Sequence, residues 1–242
     1  MAATTRVALV TGAGQRVGRA IAAALAEDGW AIAAHYRQSR EGAEELVASI
    51  RAQGGEAEAF GADLSDPAAC EQLVNDAYDR FEGLTLLVNS AAGMQKTRLG
   101  HTTAAEFDAI VGLNLRAPFL LAQAAARLMP AGGCIVNIAD HMAEEPWPDY
   151  SVHGIAKAGV IAMTRHLAAA LAPDLRVNAI APGFVLAPPG MPESAVQQFA
   201  EQTPLQRVGD PADVVRALRY LVSATFVTGE TLFVDGGRRV RP

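Results

Sequence analysis

Strand-like and helix-like stretches alternate along nearly the whole chain, and that alternation predicts an α/β fold. It implies right-handed βαβ crossovers and a parallel sheet covered by helices on both faces, three layers in all. Three observations carry the prediction. Short β-branched runs recur as "RVALVT" (6–11), "WAIAAHY" (30–36), "AEAFGA" (57–62), "LTLLVNS" (84–90), "GCIVNIA" (133–139), "LRVNAIA" (175–181) and "TLFVD" (231–235), each short enough for a buried strand. Between them lie Ala-rich stretches of helical periodicity, 18–28, 41–53, 67–81, 104–129, 153–172 and 211–222. No internal repeat, low-complexity tract or linker interrupts the order, so one domain over 1–242 is expected. The irregular stretch is "PGFVLAPPGMPES" (182–194), too rich in Pro and Gly for a regular element and read as a lid at a strand's carboxyl end.

Composition narrows the function classes. Half of the 242 residues are apolar and 19% are charged, which suits one full core and argues against disorder. The formal charge of −6 argues against a nucleic-acid partner, which needs a basic footprint. The closing "RRVRP" reads as a local basic tail. Cys70 and Cys134 have no metal-ligand spacing, no basic leader opens the chain, and a reducing cytoplasm is expected. Apolar runs are broken by charges before they reach the eighteen or so residues of a membrane span, so a soluble protein is expected.

The first motif directly follows the first strand. "TGAGQRVGRAIA" places Gly12, Gly14 and Gly18 between strand and helix, where small residues let the backbone turn tightly and approach a pyrophosphate at the helix N-terminus. The spacing follows neither Gly-x-Gly-x-x-Gly nor Gly-x-x-x-Gly-x-Gly strictly, and a purely structural turn would account for any one of these glycines. Arg16 and Val17 lie inside the motif. At the end of the second strand an NAD site needs a carboxylate for the ribose, whereas NADP needs cations or hydroxyls for its 2′-phosphate. "HYRQS" has no acid. Arg37 and Ser39, with Arg16 and His35, form a candidate anion pocket beside Tyr36, the alternative being that Arg37 solvates a loop. NADP(H) is therefore expected. Asp63, followed by Leu64, is placed to accept from an adenine amino group; Asn89 and Ala91 in "VNSAAG" are placed beside the cofactor, as are Pro182 and Gly183 after the sixth strand. Ordinary strand-end turns remain the alternative for each.

The glycine turn, "ADLSD", "LVNSAAG", "LNLRAPF", "GCIVNIAD", "HGIAKAG", "RVNAIAPG", "PLQRVGDPADV" and "FVTGETLFVDGG" stand in the order and at about the spacing of a short-chain dehydrogenase/reductase. The resemblance covers nearly the whole chain. Within that family the chain is most similar to the pteridine reductases, through "TGAGQRVGRAIA", "HYRQS" and "IVNIADHM…YSVHGIAKAG". The resemblance implies a Rossmann-like sheet of seven strands, NADP(H) across its carboxyl edge, hydride transfer to a pteridine-like or carbonyl substrate, and a homotetramer. It also implies a catalytic set. Asn114 matches the asparagine that holds a proton-relay water, and Lys157 the lysine that binds the nicotinamide ribose and lowers a neighbouring phenol's pKa. Asp140 stands where most of the family has serine and pteridine reductases have aspartate. His153 stands where the family has its tyrosine proton donor.

That last departure can be weighed physically. Lys157 follows His153 by four residues, so the two share a helix face. Imidazole is shorter than phenol by roughly 1.5–2 Å, and a misplacement of about 1 Å can cost on the order of a hundredfold in rate. Against this, imidazole titrates near neutral pH, a carboxylate such as Asp140 favours its charged form, and a water can bridge the gap. Tyr150 shares roughly the same face, as a substitute phenol or a wall of the substrate pocket. Three readings follow: an active reductase, an NADP(H)-binding module without turnover, and a subunit whose fold serves only a hetero-oligomer. The candidate substrate walls are Met94, Tyr150 and Phe184, with Trp147 and Met191 beside them. Simple loop packing would equally explain Met94, and a loop fastening would explain Trp147.

Overall fold

The computed structural model describes residues 6–240. Its seven strands are β1 (Val7–Val10), β2 (Ala31–Tyr36), β3 (Ala57–Gly61), β4 (Leu86–Asn89), β5 (Cys134–Ile138), β6 (Arg176–Pro182) and β7 (Thr231–Val234). All pair in parallel, in the order β3-β2-β1-β4-β5-β6-β7. The expected sheet is thus present, with each run trimmed or shifted by a residue or two at its ends. Eight α-helices cover it: α1 (Arg16–Glu27), α2 (Arg40–Ala52), α3 (Pro67–Phe81), α4 (Ala104–Val111), α5 (Ala117–Ala126), α6 (Ser151–Leu171), α7 (Glu193–Glu201) and α8 (Pro211–Ser223).

Local chemistry sets several of these boundaries. Asp66 accepts from the Ala68 N–H with Pro67 at the first helical position, and Asp210 does the same for Ala212 ahead of Pro211. Thr103 and Glu106 close a reciprocal capping box on α4. The single helix expected over 104–129 is α4 and α5 joined by a π-helical turn, Gly112–Arg116, which carries Asn114. The whole stretch Ala104–Ala126 is long and apolar enough, by length and composition, to cross a membrane, because few charges interrupt it; this corrects the expectation drawn from uninterrupted apolar runs. Half of its most apolar window is buried inside the fold, where α5 packs against α3 and α4 against α6.

The sheet's two faces are filled separately. Val10, Ile32, Val88 and Val136 pack under α1, α2 and α8, while Leu9, Leu87, Ile135 and Val177 pack under α3 and α5. The winding direction reverses between β1 and β4, so the loops leaving these adjacent strands diverge and open a crevice at the carboxyl edge. The loop after β6 stays irregular through Pro192, as its composition predicted, and then forms α7. The closing tail corrects the sequence reading: Arg238 is 4% exposed and ion-paired, and Arg241 and Pro242 lie outside the described residues.

Candidate active site

A cleft of about 620 Å³ opens at the crevice, lined by the glycine turn, the ends of β2, β4, β5 and β6, the start of α6 and the loop that leads to α7. Gly12 has φ +70°, and a Cβ there would stand 3.0 Å from Ala91 Cα, so glycine is required where the two diverging loops meet. Gly18 packs against the Gly12 carbonyl, which a Cβ would meet at a clashing distance. Gly14 does not line the cleft; its missing side chain makes room for Ser39, which does line it. Val17, Leu64, Ala91, Pro182 and Gly183 all face the cleft, as expected.

Several expected contacts are corrected. His35 is buried, and burial pulls its pKa down against the pull of the Ala62 carbonyl and Asp63, so it is neutral at pH 7. Its Nδ1 accepts from the Gly12 N–H at 3.1 Å, leaving Nε2–H for the Ala62 carbonyl at 3.1 Å. It lines the cleft, as expected, but it fastens the glycine turn to β2 and supplies no positive charge for an anion. Tyr36 packs over Gly61 outside the cleft. Asn89 points into the core, donating to Asn137 Oδ1 at 2.9 Å, and Asn137 donates onward to Thr164 Oγ1. That buried ladder ties β4, β5 and α6 together beneath the cleft. Asp63 accepts from the backbone and hydroxyl of Ser65 and lies 3.8 Å from Arg37 in an exposed ion pair. Arg16 sits at φ +53° and donates to the carbonyls of Leu186 and Ala187, strapping the loop after β6 across the glycine turn.

The other end of the cleft holds the candidate catalytic residues. Asn114 does not reach the cleft; it donates to the Gly93 carbonyl at 2.8 Å and accepts from the Gly93 N–H at 3.1 Å, fixing the loop after β4. The same carbonyl lies 3.2 Å from His153 Nδ1. Because a carbonyl can only accept, Nδ1 carries the hydrogen, which leaves Nε2 as the reactive nitrogen. Nε2 is buried, makes no hydrogen bond, and lies 3.5 Å from Asp140 Oδ2. Burial by itself would push the Asp140 carboxyl up, but the imidazoles of His141 and His153 and the Met142 N–H outweigh it and hold the group well below the carboxylate range. Lys157 Nζ donates to the Ile138 carbonyl at 2.7 Å. Burial lowers Lys157 to about 8, with Asp140 pulling the other way.

Met94, Tyr150 and Phe184 line the cleft with Trp147 and Met191, as expected. Trp147 serves both alternatives raised for it, since it lines the cleft and also stacks on Phe199 with centroids 5.8 Å apart. Phe199 stacks in turn on Phe184 at 4.3 Å. Sequence reasoning missed Phe199 because it lies on α7, a helix hidden behind the Pro-rich loop. It also missed His141, Glu145 and Arg238, which meet behind Asp140; the spacing of His141 and Glu145 was the one available signal.

An α/β fold with a glycine turn at the reversal of winding, and a His/Lys pair at the far end of the same crevice, defines a dinucleotide-binding class of protein. Comparisons with known proteins place it further. Residues 12–239 match the family model described as enoyl-(acyl carrier protein) reductase. The chain is 37% identical over 243 residues to a 3-oxoacyl-(acyl-carrier-protein) reductase of Synechocystis, covering 98% of each chain. Among solved structures it resembles a dehydrogenase/reductase from Sinorhizobium meliloti 1021, with TM-score 0.92, 35% identity and coverage of 98% and 96% of the two chains. It also resembles a blue fluorescent protein from a metagenomic library in complex with NADPH, with TM-score 0.91, 33% identity and coverage of 96% and 97%. The chain belongs to the short-chain dehydrogenase/reductase family.

Proposed function

We propose that the whole chain acts as one NADP(H)-binding domain that reduces a carbonyl compound, with His153 as the proton donor. The observation that carries this reading is the placement of His153: its Nδ1 is anchored on Gly93 and its Nε2 is left unbonded in the wall of the cleft. The cradle fits the cofactor. Gly12 leaves the backbone bare at the turn, Gln15 and Val17 line the cleft beside it, and among the described residues no carboxylate of β2 stands where a ribose diol would be held. Arg37 and Ser39 would hold the 2′-phosphate, and Lys157 the nicotinamide ribose. When bound, the reduced nicotinamide supplies the hydride.

The residues of the chain supply the proton and the geometry. Protonated His153 gives its Nε2 hydrogen to the substrate oxygen, and the Asp140 carboxylate favours the charged imidazole before transfer. Asn114 keeps Gly93, and so the ring, in place. The names of the acyl-carrier-protein relatives favour a ketone substrate. A pteridine-like substrate is the second reading, favoured by Asp140 at the family's serine position. Exposed Phe107, Phe119 and Ile155 suit the homotetramer implied by the resemblance, and the buried free thiols Cys70 and Cys134, each pushed up to about 11 by burial, suit a reducing cytoplasm. The test is NADPH oxidation with a panel of 3-oxoacyl thioesters, simple ketones and dihydropterins. Steady turnover on either class supports reduction; tight NADPH binding with no turnover on any would leave the binding module as the function.

A further inference from the structure

Behind Asp140, five more groups line up in a way that the proposed reaction does not use. His141 is 4% exposed, and its Nδ1 lies 3.0 Å from Asp140 Oδ1 and 3.3 Å from the Pro182 carbonyl. Both neighbours are acceptors, so Nδ1 carries a hydrogen. His141 Nε2 makes no hydrogen bond and faces Glu145 Oε2 at 3.6 Å. Glu145 accepts from Arg238 Nε at 2.8 Å. The Arg238 guanidinium lies over both Trp147 and Phe199, and the Trp147 ring meets His141 edge-on at 5.6 Å. Asp140 is therefore a carboxylate between two imidazoles: Oδ1 lies 3.0 Å from the His141 Nδ1–H, which it shares with the Pro182 carbonyl, and Oδ2 is left toward His153.

We infer that His141 is a positioning residue for the proton donor: its Nδ1–H fixes the Asp140 carboxylate so that Oδ2 faces His153 Nε2, and the Trp147 ring packs edge-on against His141 in turn. The Met142 N–H, donating to the same Oδ1 at 2.8 Å, fixes the carboxylate from the backbone side and completes the clamp. A carboxylate that kept only the Met142 bond would be free to rotate about its side-chain torsion and would present less charge to His153. The groups that set the charge on His153 are then Asp140 just after β5, Lys157 from α6 with Tyr150 at its N-cap, and the Gly93 carbonyl from the loop after β4. Those around His141 are Asp140, Glu145, the Pro182 carbonyl and, through Glu145, Arg238.

This inference rests on the reading of His153 as the donor, and the experiment separates the two. His141→Asn keeps an N–H donor at the Nδ1 position, whereas His141→Leu fills the volume without one. In the cofactor-free protein the His153 imidazole is titrated by NMR. The expected result is a downward shift of the His153 titration by about one unit in His141→Leu, and recovery in His141→Asn. In the reductase assay His141→Leu should lower kcat by roughly tenfold near neutral pH and move the alkaline limb of its pH profile down by the same amount, with KM little changed. A His153 titration identical in wild type and His141→Leu, or a His141→Asn protein as impaired as His141→Leu, overturns the inference. If His141→Leu does not fold, His141→Gln is used, because its amide reaches toward Glu145 and leaves the Nδ1 position without a donor. A wild type that turns over none of the panel refutes the donor reading, while the NMR arm still decides the clamp.

Discussion

At the glycine-turn end of the cleft, Arg37 and Asp63 are about half exposed and 3.8 Å apart. At the donor end, His141, His153 and Lys157 are each at most 4% exposed, and Asp140 lies between the two imidazoles. An exposed pair of this kind contributes about 0–1 kcal/mol, so Arg37 can leave Asp63 for a phosphate at little cost. The buried groups are different: each is charged or poised against a desolvation cost and depends on its partners. The cleft thus has one end whose charges are free to meet a ligand and another whose charges are already engaged with each other.

The largest effect expected from this contrast is on stability at the buried end. Burial pushes the Lys157 ammonium down to about 8, against 10.5 for a free lysine. Between those values the unfolded chain binds more protons, so this group makes stability rise with pH from 8 to 10.5 and penalises the fold at pH 7 by on the order of 3 kcal/mol. Lys157→Met should therefore gain on wild type most at pH 7, and the gain should shrink through that window in denaturant titrations. A difference that stays flat with pH would show that Lys157 is not strained by its burial. Cofactor affinity of the variant should fall at the same time.

The second effect is on turnover. His153→Ala should cut kcat on the order of a hundredfold while NADPH affinity, read by direct titration, stays nearly unchanged, because the imidazole acts at the reacting centre. His153→Tyr sharpens the result. A large gain would mean that the site is a dormant one in which Asp140 and Lys157 stand ready for a phenol; little gain would mean that the imidazole is the adapted donor. Wild-type turnover unmoved by His153→Ala would shift the donor role to Tyr150 or a water.

How much of this was legible in the sequence follows the same division. The glycine turn, β1 to β7 and the absent acid after β2 are local signals, since each is carried by neighbours in sequence and by the short period of strands and helices. Asn89 turns into the core, which its neighbours in sequence do not reveal, and His35 lines the cleft as expected but spends both ring nitrogens on backbone groups, which they do not reveal either. The clamp behind Asp140 was invisible for a different reason. Arg238 and Glu145 are 93 residues apart and meet only because β6 and β7 bring the tail beside the end of β5.

The third effect concerns cofactor choice at the open end. Arg37→Asp places a charge against the 2′-phosphate, leaves Asp63 facing a like charge, and offers a ribose diol an acceptor. NADPH affinity should fall by roughly tenfold and NADH affinity should rise, narrowing or reversing the preference in parallel titrations. Equal affinities for both cofactors in the wild type would refute the anion pocket outright.

The smallest effect belongs to Arg16, which lies at the open end but is already engaged. Its guanidinium donates to the Leu186 and Ala187 carbonyls, and its φ of +53° is a conformation that favours glycine. Arg16→Gly therefore relieves the backbone while it removes two exposed hydrogen bonds, each contributing about 0.5–1.5 kcal/mol at most, so Tm should change little. NADPH affinity should fall by only about threefold, less than for Arg37→Asp, since the side chain's bonds go to the loop. The loop over residues 183–192 should instead become easier to cut in limited proteolysis, because its strap to the glycine turn is gone. If Arg16→Gly weakened NADPH as much as Arg37→Asp and left the loop equally resistant, Arg16 would be a phosphate ligand, and the open end would hold two free cations in place of one.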